Sequence, residues 1–276
     1  MHNIPSYEIS DRAPWRVDVA ELWRYRHLVW LLAWRSIRIR YKQTVLGLLW
    51  AVVAPLAFTV IFFAFFRIVS VRPTGGLPQA PVMFLGLILW QLFSRGLTEA
   101  SVSLTNNSGL ITKVYFPRLA LPLAAVVSSL ADFAITLVLL AALLLWYAVP
   151  LSPHVLLAPL FVLHMLALTL GCGLWLAAID GFFRDLRHAI PLLLQLGMLV
   201  SPVVYVTSSL VPEKLRTLYD LNPLVAPLEG FRWSLLVGAE PPEAAMIVKS
   251  VAITIVLLFT GMVFFNRVER SVIDRV

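Results

Sequence analysis

Residues 45–66 read VLGLLWAVVAPLAFTVIFFAFF, twenty-two positions without one charged side chain. About 20 such residues, wound as a helix, cross the hydrocarbon core of a bilayer. Five further apolar runs follow, near 81–97, 119–147, 155–179, 189–206 and 244–265. They occupy most of a 276-residue chain that is 60% hydrophobic and only 13% charged. Soluble domains carry about 25% charged residues, so the composition excludes one here. The sequence predicts an all-α membrane protein with six transmembrane helices. Pro55 lies in mid-span, and Pro191 and Pro202 interrupt the fifth run. Bends or breaks are expected there, because proline removes a backbone donor.

Outward from the spans, residues 1–20 are polar and read as a flexible arm, and 21–42 form a different element. At 100° per residue, Trp23, Trp30, Trp34, Ile37 and Tyr41 share one stripe. Arg24, His27, Arg35, Arg38 and Lys42 share the neighbouring sector, while Arg26, Leu31 and Arg40 break the pattern. Rings at headgroup depth beside cations describe an amphipathic helix lying in the membrane interface. Residues 43–266 form a single six-span domain, and 267–276 a basic tail. Within the domain, 207–243 is rich in proline and long enough for re-entrant helices before the last span.

Lys and Arg counts set the orientation. The N-terminal region, 98–118, 180–188 and the tail carry eight, two, two and three. The loops 67–80, 148–154 and 207–243 carry two, none and three. The positive-inside rule then puts both termini in the cytoplasm of a multi-pass bacterial inner-membrane protein. The net charge of +7 follows from this topology and implies no nucleic-acid partner. The first forty residues lack the apolar core and small-residue site of a cleavable signal. The single Cys172 precludes an intramolecular disulfide.

The chain carries no engine of its own. GxxxxGK[ST], HExxH, CxxC and GxSxG are all absent, so no bound cofactor or metal is expected. Intramembrane charge is limited to Asp132, with Arg95 and Glu99 near the end of the second span. Asp132 reads either as a proton or substrate site or as a paired group in a helix interface. Lys249 is expected to snorkel, and His164 to be a hydrogen-bonded packing residue. Gly171, Cys172 and Gly173 allow close helix packing. Phe58, Phe62, Phe66 and Tyr205 read either as channel rings for sugar faces or as lipid-facing and packed aromatics.

Four stretches together resemble one family. They are RYKQTVLGLLWAVVAPL at 40–56, SGLITKVYFPRLALPLA at 108–124, FFRDLRH at 182–188 and LNPLVAPLEGFRWSLL at 221–236. Their order and the six-span plan are similar to the membrane subunit of ABC-2 type exporters of lipid-linked polysaccharide. Asp180, Gly181 and Phe183 stand where that pattern has Asn- and Tyr-type residues.

The resemblance implies a homodimeric channel driven by a separate dimeric ATPase, which alone binds ATP and Mg. The cargo would be an O-antigen, capsule or teichoic-acid type polymer on a polyprenyl lipid. Arg184, Asp185, Arg187 and Lys113 would then couple to the ATPase, or serve as ordinary loop charge. Arg35, Arg38, Arg40 and Lys42 would draw in a lipid pyrophosphate, or bind the anionic headgroups of membrane lipids. Asn222, Pro223, Glu229, Phe231 and Arg232 would gate the outward mouth, or brace a re-entrant pair through Asn222 and a Glu229–Arg232 contact. Two other functions compete: an ABC-2 subunit for a small lipid or drug-like cargo, and a polytopic polyprenyl-lipid enzyme. The enzyme would need a DxD or DDxxD cluster, which the chain lacks.

Overall fold

The computed structural model describes residues 23–42, 47–69, 74, 76–114, 116–183 and 185–273. The 1–20 arm, Arg184 and the last residues of the tail lie outside them. Twelve α-helices are described: α1 Arg26–Lys42, α2 Gly47–Ile68, α3 Gln79–Ser101, α4 Ser103–Asn106, α5 Ser108–Ile111 and α6 Ala120–Trp146. They continue as α7 Ala158–Asp180, α8 Leu186–Val200, α9 Thr207–Leu210, α10 Glu213–Tyr219, α11 Val225–Leu235 and α12 Ala244–Ile273. Four segments are long and apolar enough to cross a membrane: Gln79–Ser101, Ala120–Trp146, Val155–Asp180 and Ala244–Val268. The other two expected spans appear as shorter apolar helices, Val52–Ile68 and Leu186–Val200. The chain is therefore a multi-pass, all-helical membrane protein.

The hub is α3, buried along nearly its whole length and packed against α2, α6, α7, α8 and α11. Met83, Phe84, Leu85, Leu87 and Ile88 lie at its centre with almost no exposure. Small residues let the neighbours close in. Gly171 of α7 meets the backbone of α12 at Leu257 and Leu258, and Gly261 of α12 meets the Gly171 carbonyl. Gly173 faces Ala100 of α3. Cys172 thus sits among contacts set by its glycine neighbours, as close packing in lipid requires.

α2 runs through Pro55 and α8 through Pro191. The break comes at Pro202: α8 ends at Val200, and Ser201 is extended (ψ 154°). The end of α6 closes as a Schellman turn. The Ala148 N–H donates to the Leu145 carbonyl at 3.1 Å and the Val149 N–H to the Leu144 carbonyl at 3.0 Å. Ala148 takes φ 50° there, a position that usually favours glycine.

The helices leave a basic end, with α1, α4, α5 and the 181–188 loop, and an opposite end, with α9, α10 and α11. α1 lies on α6 through Val29, Leu32 and Ala33, which join Leu104, Phe116, Leu121, Ala124 and Phe265 in one cluster. Its other side holds exposed Trp30 and Trp34, stacked at 6.5 Å, and Trp23 is exposed just before the helix. Arg24, His27, Arg35, Arg38 and Lys42 are exposed beside them. The expected stripe divides at Tyr41, which turns inward.

Candidate functional site

Three helices bring six polar side chains together beneath the end of α1. Arg40 of α1 donates to Asp132 of α6 and to Glu99 of α3, and the Tyr41 hydroxyl donates to Asp132. Arg95, one turn before Glu99, lies 3.2 Å from Asp132 and 3.6 Å from Glu99. Ser128 donates to Glu99 at 2.8 Å. Two guanidinium groups thus face two carboxylates, and the set is neutral. This balance lets four ionisable groups persist inside an apolar bundle, where an unpaired charge would cost several kcal/mol. Asp132 is accordingly a paired group in a helix interface.

A cavity opens on each side of the cluster. One, of about 340 Å³, lies between α1, the α3–α4 run and α6, and both Arg40 and Glu99 line it. The other, of about 270 Å³, lies between α2, α3 and α6 and is lined by Gln91, Ser94, Arg95, Asp132 and Thr136.

The second constellation lies in the loop between α7 and α8. Asp180, the last residue of α7, is almost fully buried. Arg187 donates to it from Nε at 3.0 Å and from an η nitrogen at 3.1 Å, and Thr105 of α4 donates at 2.8 Å. A bidentate Arg–carboxylate fork fixes geometry better than a point charge does. The bond to Asp180 pushes the Arg187 guanidinium further up, so it stays charged at any physiological pH. Asp185, on this loop, and Lys113, after α5, are exposed. The Asp185 side chain makes no cap bond to α8.

The third constellation fills the opposite end. Arg232 of α11 is 2% exposed and donates to the carbonyls of Val203 at 2.5 Å, Tyr205 at 2.8 Å and Val82 at 3.3 Å. The break at Pro202 leaves carbonyls without helical partners, and a buried guanidinium satisfies them. Glu229 lies 3.7 Å from Arg232 and accepts from the Thr207 N–H at 2.8 Å and its hydroxyl at 2.7 Å. The Asn222 amide donates to Ser201 at 3.0 Å, and its oxygen accepts from the Leu224 N–H at 3.1 Å. Ser250 of α12 donates to the Pro223 carbonyl at 2.6 Å and meets His164 of α7, which also meets Thr254. Phe231 packs on Phe133 at 6.1 Å.

The family described as ABC-2 type transporter matches residues 27–236. The chain belongs to this family. It is similar to an "O-antigen export system permease protein RfbA" of Myxococcus xanthus, 32% identical over 90% of this chain and 95% of the relative. A protein of the same name from Klebsiella pneumoniae is 28% identical over 85% of this chain and 89% of its own length. A "Polysialic acid transport protein KpsM" of Escherichia coli is 24% identical over 87% and 92%.

In this ABC-2 chain the four basic residues singled out on α1 do not share one environment. Arg35 lines the larger cavity, Arg40 is held by Glu99 and Asp132, Arg38 lies over the Trp34 ring at 6.0 Å, and Lys42 is exposed. Of the set Asn222, Pro223, Glu229, Phe231 and Arg232, Asn222, Glu229 and Arg232 converge on the chain around the Pro202 break, while the Pro223 carbonyl bonds to α12 and Phe231 packs on α6. Of the aromatic set, Phe58 is exposed, while Phe62 and Phe66 pack partly against the core, 6.5 Å apart. The Tyr205 hydroxyl meets the Tyr219 hydroxyl at 2.8 Å. Lys249 reaches Asp220 at 3.5 Å.

Sequence reading alone missed the roles of Tyr41, Ser128, Asp180, Thr105 and Thr207. Arg40 carried a signal, as a cation out of place on its helix. Asp180 carried another, as an acid where the family pattern has an amide. The hydroxyl residues carried none, since Ser and Thr are common in membrane helices.

Proposed function

We propose that this chain is the membrane-spanning channel subunit of an ATP-driven exporter of lipid-linked polysaccharide, of O-antigen, capsule or teichoic-acid type. The observation that carries this reading is similarity over 90% of the chain to an O-antigen export permease, in a chain without a phosphate-binding loop. The engine is then a separate dimeric ATPase that binds ATP and Mg. Two copies of this chain form the channel in the bacterial inner membrane, with six spans each and both termini cytoplasmic. Positive charge at the basic end supports that orientation.

Under this reading the exposed Asp185 and Lys113, with Arg184, meet the ATPase, while Arg187 holds the loop rigid from within. Motion must reach the spans through rigid elements, and the Thr105–Asp180–Arg187 contact ties the loop to α4. The α9–α11 segment closes the outward mouth, with Arg232 and Glu229 as its brace. Phe58, Phe62, Phe66 and Tyr205 are the rings nearest a sugar path.

Affinity purification of the tagged chain in mild detergent, followed by mass spectrometry and an ATPase assay, tests the reading. We expect a stoichiometric partner carrying a phosphate-binding loop, and no ATP hydrolysis by this chain alone. A chain that purifies without an ATPase, from cells whose surface polysaccharide survives its deletion, would refute it.

A further inference from the structure

Arg40 and Arg95 reach the same two oxygen atoms. Each contacts Glu99 Oε1 and Asp132 Oδ2, Arg40 from α1 and Arg95 from α3. Arg40 and Glu99 line the larger cavity, while Arg95 and Asp132 line the smaller one. The ion cluster is therefore the partition between the two cavities. The other carboxylate oxygens are engaged separately: Ser128 donates to Glu99 Oε2 and Tyr41 to Asp132 Oδ1. α1 supplies one cation and one hydroxyl to the partition. α3 and α6 supply the rest and keep a cation of their own.

The attachment of α1 is uneven along its length. Val29, Leu32 and Ala33 are buried in one cluster with Leu121 and Phe265. From Trp34 to Lys42 no described residue is buried, and Ile37, Arg40 and Tyr41 are half-buried. The first half of the helix is held by apolar area and the last two turns by polar contacts. Such contacts weaken steeply with small changes of geometry. Two guanidinium groups on the same oxygens also repel each other, which offsets part of what Arg40 gains. Breaking a buried ion pair is costly mainly because one charge is left alone. Here Arg95 already stands beside both carboxylates. When Arg40 leaves, the repulsion goes with it, and water entering from the cavities solvates the one acid charge left over.

We propose that the last two turns of α1 are a latch that pivots on Val29, Leu32 and Ala33. Closed, Arg40 and Tyr41 complete the partition. Open, Arg95 alone holds Glu99 and Asp132, and the two cavities join into one hydrated passage from beneath α1 to the middle of α6. The latch goes beyond the exporter reading, since neither a cargo nor an ATPase enters its argument.

The test uses the full chain carrying Cys172→Ala and Gln91→Cys, reconstituted in phospholipid vesicles. Gln91 lines the smaller cavity, one turn before Arg95. A cationic and an anionic methanethiosulfonate reagent, both membrane-impermeant, report access to the new thiol. A change in access moves both labelling rates together, and a change in local charge moves them apart. Arg40→Gln should raise both rates about tenfold. Tyr41→Phe leaves every charge in place and should raise both by a smaller factor. Arg95→Gln should lower both, because it removes the competitor for the oxygens that Arg40 holds. Damage to the fold would speed labelling in both arginine variants, so the opposite signs separate release of the latch from damage. Faster labelling by both reagents in Arg95→Gln, or equal rates in all four chains, would overturn the proposal. Neither result touches the exporter reading, which stands or falls on the ATPase partner.

Discussion

A carboxylate at position 132 is tolerable deep in an apolar bundle because Arg40, Arg95 and Tyr41 meet it. Removing its charge leaves two guanidinium groups facing one remaining acid. Asp132→Asn should therefore destabilise the chain by about 3 kcal/mol, read as a lower thermal or denaturant midpoint in detergent. The double variant Asp132→Asn/Arg40→Gln should cost less than the sum of the two singles, since the surviving pair rebalances. Gly86 is fixed by a different force. A Cβ there would collide with the Val203 carbonyl and the Arg232 guanidinium. Gly86→Ala should cost about 3 kcal/mol or more, because a backbone carbonyl cannot step aside as a side chain can. Ala148 is the converse case. It holds φ 50° at the end of α6, so Ala148→Gly should stabilise by about 0.5–1 kcal/mol in the same unfolding assay.

The elements divide into those that report on lipid and those that report on each other. α2, α6, α7 and α12 are long apolar runs, so their existence is legible from one-dimensional pattern alone. α8 is harder. At 15 residues it spans about 22 Å, short of a bilayer core. The proline signal at 202 announced a break, but its remedy could not be read from sequence. Arg232 lies some thirty residues further on, and only the folded packing of α11 against α3 brings it to Val203 and Tyr205. The break and its brace form one unit. Arg232→Lys should loosen it, since a single ammonium cannot reach carbonyls spread as a planar fork can. Faster proteolysis or cysteine labelling within 207–222, with the helical content of the remainder unchanged, is the expected readout.

At the scale of the molecule, the family and the all-helical, multi-pass class were legible because apolar run lengths and four motif stretches survive as linear signals. The site was less so. Which of eight basic residues before the first span is buried depends on how α1 is rotated over α6, and a helical wheel does not contain that angle. Arg40 and Arg35 belong to the same cationic helix, yet one is locked inside and the other faces the larger cavity. Two kinds of electrostatics therefore hold α1. The pull of Arg24, Arg38 and Lys42 on anionic lipid is exposed and decays within about 10 Å in 0.1 M salt. The cluster around Arg40 lies beneath the helix, where mobile ions screen it far less. Raising ionic strength should release the N-terminal helix from the lipid surface and leave it attached to the bundle, so salt can detach this protein's collar from the membrane but not from its own spans.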